Sequence, residues 1–165
     1  MGSHFSPAAR LPRHSSRSRL LPALLIGALI GLGSANISLA ADVAITDIQK
    51  MVRQGQNAQA LEKVDAYIAT RPKDAQGRFL RGIILTELNR NNEAIAVFTK
   101  LTEDFPELPE PYNNLAVLYA QQKQYDKART ALEMAIRTHP SYAVAHENLG
   151  DVYAKLASQA YDKAL

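Results

Sequence analysis

Apolar residues recur along this chain with the period of a helix, in short runs that stop and restart. Tyr112, Leu115, Ala116 and Tyr119 stand at i, i+3, i+4 and i+7, so they share one helical face. A polar break, Gln121-Gln-Lys-Gln124, follows; Ala128, Leu132, Ala135 and Ile136 then mark a second apolar face. His139-Pro140 ends that segment, because proline has no amide donor and disfavours helix in the residue before it. The same alternation predicts helices over about 43–54, 57–70, 75–88, 92–105, 109–122, 126–139 and 143–156. Another piece is expected from about 160. No Gly or Pro interrupts Ala157-Ser-Gln-Ala160, however, so the seventh helix is free to run on instead.

The stops and starts are periodic. Pro72, Pro106 and Pro140 lie 34 apart, as do Ala60, Ala94 and Ala128, then Gly82, Ala116 and Gly150, then Leu85, Tyr119 and Tyr153. Four series at one spacing mark a repeat array of paired helices, an all-α solenoid. The small residues at Gly82, Ala116, Gly150 and at Ala60, Ala94, Ala128 predict close helix approach, where a larger side chain would force two backbones apart.

This pattern resembles the tetratricopeptide repeat family, whose 34-residue unit runs aromatic-x2-Leu-Gly-x2-Tyr, then Ala-x3-Phe, then Pro. Unit three carries Tyr112, Leu115, Ala116, Tyr119, Ala128, Leu132 and Pro140, and unit four opens His146-x2-Leu149-Gly150-x2-Tyr153. Unit two keeps Gly82, Leu85, Ala94, Phe98 and Pro106 but has Arg78 and Arg81 for the aromatic and the leucine. Unit one keeps Ala60, Val64 and Pro72, with Asp47-Ile48 for Leu-Gly, as suits a terminal cap. The resemblance implies a right-handed α-solenoid over 41–165, in units of about 41–74, 75–108, 109–142 and an incomplete 143–165.

Residues 1–40 read differently. They hold four arginines (Arg10, Arg13, Arg17, Arg19) and no acid. Of the chain's 19 Lys+Arg and 16 Asp+Glu, the other 125 residues therefore keep 15 and 16, a net of −1. The body thus has no basic footprint for nucleic acid. The Arg/Ser-rich start, the apolar run from Leu20 to Leu32 and Ser38-Leu39-Ala40 compose a secretory signal peptide, with Ala41 the first mature residue. Two other readings stay open: an uncleaved membrane anchor facing the periplasm, since the weakly apolar stretch extends to Ala41, and organelle targeting, since the Arg/Ser-rich, acid-free start resembles a mitochondrial transit peptide. A body without cysteine suits the bacterial periplasm and excludes disulfides, thiolate metal sites and thiol nucleophiles.

Little in the body suggests chemistry. His139 sits at a helix end, His146 takes an aromatic position where packing is expected, and the glycines after residue 40 are isolated. We expect no enzyme, no metal and no cofactor. In the resembled family the first helices of successive units line a concave groove. Here that groove would present Phe79, Ile83, Thr86, Asn113, Val117, Gln121, Glu147 and Asp151. Gln76, Glu87 and Glu110 occupy matching positions, and Ile45 and Gln49 are their counterparts in unit one. The alternative is that Phe79 and Ile83 are buried between units, making good the packing lost at Arg78 and Arg81.

The carboxylate clamp of chaperone-binding members needs Lys and Arg that these positions lack. The resemblance implies a protein or peptide partner, no nucleic acid, and membrane contact only through an uncleaved leader. It points to an exported adaptor in envelope assembly. The alternatives are a membrane-tethered accessory subunit that positions substrate for an enzyme, as in cytochrome maturation, and a glycan-binding envelope factor. A homodimer through the C-terminal end is a further expectation, because Leu149, Val152, Tyr153 and Leu156 would lack a covering helix.

Overall fold

The computed structural model describes residues 44–164, and among these all regular structure is helical. The elements are α1 (Ile45–Arg53), α2 (Asn57–Thr70), α3 (Ala75–Glu87), α4 (Asn91–Asp104), α5 (Pro109–Gln121), α6 (Tyr125–Thr138) and α7 (Ala143–Ala164). The leader, and with it the signal, anchor and transit readings, lies outside the described residues. None of the described helices is long and apolar enough to cross a membrane.

Two stop signals set the repeat. The second helices α2, α4 and α6 end at Arg71, Phe105 and His139, whose φ angles are −137°, −138° and −142°. Each precedes a proline, which pushes its neighbour out of the helical region. The first helices α1, α3 and α5 end in left-handed residues spaced 34 apart: Gly55 at φ 74°, Asn89 at φ 58° and Lys123 at φ 60°. The amides that follow reach back to helix carbonyls, Gln56 to Met51 at 3.0 Å, Arg90 to Leu85 at 2.9 Å and Gln124 to Tyr119 at 2.9 Å. Those bonds satisfy carbonyls that the helix end would leave bare.

Each helix packs on the next in sequence, and the first helices also adjoin one another, α1 with α3 and α5 with α7. The first helices therefore form one face of the stack. Two clusters make the core. One gathers Ile48, Ala60, Val64, Leu80 and Ile84; the larger runs from Leu85 through Phe98 and Leu132 to Val152. Gly82 lies under the Phe98 ring, and a Cβ there would stand 2.5 Å from a ring carbon.

The equivalent Gly150 corrects the expectation of a close approach, since a Cβ there would meet nothing within 4 Å. The reason is α7 itself. It runs on for 22 residues, about 33 Å, where the earlier first helices turn back after 13 at most. The residue at the turning position is Ala157, which stays helical where Asn89 and Lys123 take the left-handed conformation. Tyr161 therefore extends α7 rather than opening a new helix. It is 74% exposed, and Tyr153 is 49% exposed.

Candidate functional site

Unit two is where the repeat departs most from its pattern. Its two unusual arginines turn to the outer side of α3 and tie it to the second helices. Arg81 Nε donates to Asp65 of α2 at 2.7 Å, and Arg78 Nη2 reaches Asp104 of α4 at 2.8 Å. Arg78 also lies over the Phe105 ring at 5.7 Å. The Arg78 hydrogen bond, with Lys100 behind it, holds the Asp104 carboxyl below the usual range. Nearby, Arg90 donates from Nε and Nη2 to the two carboxylate oxygens of Glu93 at 2.6 and 2.7 Å, which raises the guanidinium pKa and lowers that of the carboxylate. These cations are matched by acids, so this side offers no open anion site.

With the leucine and aromatic positions taken by arginine, neighbouring apolar side chains fill the gap. Phe79 is half-buried and its ring tilts against Phe98, with centroids 5.5 Å apart. Ile83 is half-buried against the same core. The packing reading is therefore correct for part of each side chain. The rest of Phe79 faces a cavity of about 230 Å3 on the first-helix side. Gln49 of α1, Ala75, Gln76, Phe79 and Leu80 of α3, and Leu108, Glu110 and Pro111 around the start of α5 line it. The walls are mostly apolar. Gln49, only 7% exposed, makes no side-chain hydrogen bond among the described residues. Its amide is not sealed from solvent but opens onto the cavity, where it can give one hydrogen bond and take another.

The other expected groove residues divide. Thr86 is half-buried and donates its hydroxyl to the Gly82 carbonyl at 3.0 Å. Gln121 is exposed and accepts from Asn91 at 3.4 Å. Glu147 and Asp151 are exposed on α7. Two placements are corrections. Asn113 is 0% exposed and Val117 4%, so neither offers its side chain to a partner. Asn113 instead accepts a hydrogen bond from Asn148 Nδ2 at 2.8 Å, joining α5 to α7 inside the stack. The physical reason is that α7 packs directly on α5 and closes over that position.

His146 is a further correction, being exposed rather than packed. Its Nε2 donates to the Pro140 carbonyl at 2.8 Å. His139 shares a 3.2 Å hydrogen bond with Ser141 and meets the Tyr142 ring edge-on. Register alone pointed to Gln49, Phe79, Gln76 and Glu110. It missed Leu108, the residue before α5, and Pro111 in the first turn of α5.

Comparison with known proteins bears on the same stretch. Two tetratricopeptide repeat models match the chain, over residues 52–109 and 85–156. The tetratricopeptide repeat domain-containing protein PYG7, chloroplastic, of Arabidopsis thaliana is 28% identical over 155 residues, 86% of this chain and 47% of that protein. This chain thus spans about half the length of that relative. Among solved structures, YrrB, described as a TPR protein with an unusual peptide-binding site, is 26% identical with a TM-score of 0.58, over 61% of this chain and 52% of that one. The second TPR domain of human RPAP3, solved in complex with the HSP70 peptide SGPTIEEVD, has a TM-score of 0.61 at 14% identity, over 66% of this chain and 91% of that one. The last likeness is one of fold alone.

Proposed function

Since residues 52–156 of this chain belong to the tetratricopeptide repeat family, we propose that it is a non-catalytic scaffold holding an extended peptide of a partner protein against its first helices. The observation that carries this reading is the cavity between α1, α3 and α5, with Phe79 in its wall. The peptide in the RPAP3 complex and the peptide-binding site ascribed to YrrB support it, since both proteins share this fold. An open apolar recess flanked by amide and carboxylate groups can seat one side chain while polar atoms hold the main chain. Cross-linking of the full chain to captured peptides, read by mass spectrometry, tests the reading. Adducts on α1, α3 and α5 support it. Adducts confined to the side bearing Arg78 and Arg81 refute it.

Placement across a membrane belongs to the same proposal. Read as a cleaved signal, the leader puts the scaffold in the periplasm, in envelope assembly. The word chloroplastic in the name of the Arabidopsis relative favours the organelle-targeting version of the leader instead. In either version the first residue of the processed chain is the test. A mass beginning at Ala41 supports the secretory cut; a full-length mass in the membrane fraction supports a retained anchor. Pairing of two copies through α7 also stays within this reading, motivated by the exposed Tyr153 and Tyr161. Sedimentation at several concentrations tests it, with Leu156→Glu expected to weaken the pair.

A further inference from the structure

Resting on the groove reading above, we infer that the cavity bounded by Gln49, Phe79, Leu108 and Pro111 is a side-chain subsite for a basic peptide. Its ligand is an extended segment carrying one large apolar residue with Lys or Arg beside it. Three observations converge. The walls are mostly apolar and the volume, about 230 Å3, suits a single Leu, Met or Phe side chain. Gln49 lines the cavity with 7% of its surface exposed, makes no side-chain hydrogen bond to the described residues, and keeps its amide open to the cavity. Its amide can give one hydrogen bond and take another, the pair that a peptide group in an extended backbone presents.

The third observation is charge. At the groove positions of each unit (the second, fifth, ninth, twelfth and thirteenth), the described chain carries the acids Glu87, Glu110, Glu147 and Asp151 and the cations Arg53 and Lys155. Glu110 borders the cavity, and Glu87, Glu110 and Asp151 take part in no ion pair among the described residues. Four acids to two bases make this face attractive to cations and hostile to an acidic tail. The HSP70 peptide bound to RPAP3, with its Glu-Glu-Val-Asp end, therefore has the wrong sign for it.

Fluorescence polarisation with the full chain tests the assignment. The probes are labelled extended nine-residue peptides that carry a single central Leu, Met or Phe flanked by two Lys or by two Glu. The Lys-flanked peptides should bind at least about tenfold more tightly than their Glu-flanked counterparts, with the gap shrinking as salt rises. Glu110→Lys, which breaks no ion pair, should erase most of that preference. Gln49→Leu, which removes an unpartnered amide, should keep the circular dichroism spectrum and melting temperature while weakening binding severalfold. Equal affinity for both peptide sets, or full affinity in both Phe79→Ala and Gln49→Leu, overturns this subsite while the groove reading stands. Phe79→Ala that lowers self-association and leaves peptide affinity alone assigns the cavity to a second copy of the chain and likewise overturns it. No binding by any peptide of either charge overturns both readings.

Discussion

At the scale of single residues, one repeat position carries opposite energetics in different units. Gly82 sits beneath Phe98, where any Cβ collides with the ring, whereas Gly150 faces open space on α7. We predict that Gly82→Ala costs about 1–3 kcal/mol through overpacking. Gly150→Ala should gain roughly 0.5–1 kcal/mol, because it removes the entropic cost of glycine inside a helix and meets no neighbour. Urea melts of the two variants decide this. Loss of stability in both would mean that something covers Gly150. Such differences escape a reading by alignment, since the spacing of 34 predicts equal packing wherever the small residue recurs. Packing depends on the helix opposite, and only the course of α7 reveals that no described helix lies against Gly150.

Between elements, the α5–α7 and α3–α4 junctions each rest on a polar contact inside or beside apolar packing. Asn113 and Asn148 meet at 2.8 Å within the stack. Asn113→Ala removes that partner from a buried amide and should cost about 1–3 kcal/mol in a thermal or urea melt. It should leave peptide affinity nearly unchanged once folding is controlled. A large affinity loss with normal stability would return Asn113 to the groove.

At α3–α4 the prediction concerns acid. Asp104 is held below its ordinary value of 3.8, first by Arg78 and then by Lys100. It is ionised in folded and unfolded chains alike above that value, so its contribution is complete there. The contribution fades as pH falls through the lower folded value. Asp104→Asn should flatten the fall in stability below about pH 4. An acid limb of unchanged steepness would mean that Asp104 does not contribute.

For the whole molecule, element positions were legible because their punctuation is local. Prolines close α2, α4 and α6, and the turns after α1, α3 and α5 use Gly55, Asn89 and Lys123 in one backbone conformation. The cavity was legible only in part. Gln49, Phe79, Gln76 and Glu110 follow from helix register, but Leu108 and Pro111 join them only when the units stack. A side chain's burial is decided by partners far away in sequence, and a polar residue on an apolar flank is ambiguous until those partners are placed. Asn113 shows this most plainly: its repeat position promised an accessible amide, and its neighbour in space, Asn148, lies 35 residues away.

The overlong α7 has a consequence for how the molecule opens. Every described residue from 157 to 164 is exposed, so that segment is held by its own backbone alone. A helical stretch that short is marginal in water without tertiary support. Amide hydrogens there should exchange with deuterium fastest among the helices, with protection climbing toward Leu85, Phe98 and Leu132, whose side chains are fully buried. A peptide seated between α1, α3 and α5 would slow exchange in the first three units through mass action. It would leave 157–164 as labile as before, so the far end of α7 serves as an internal reference against which occupancy of the cavity can be timed.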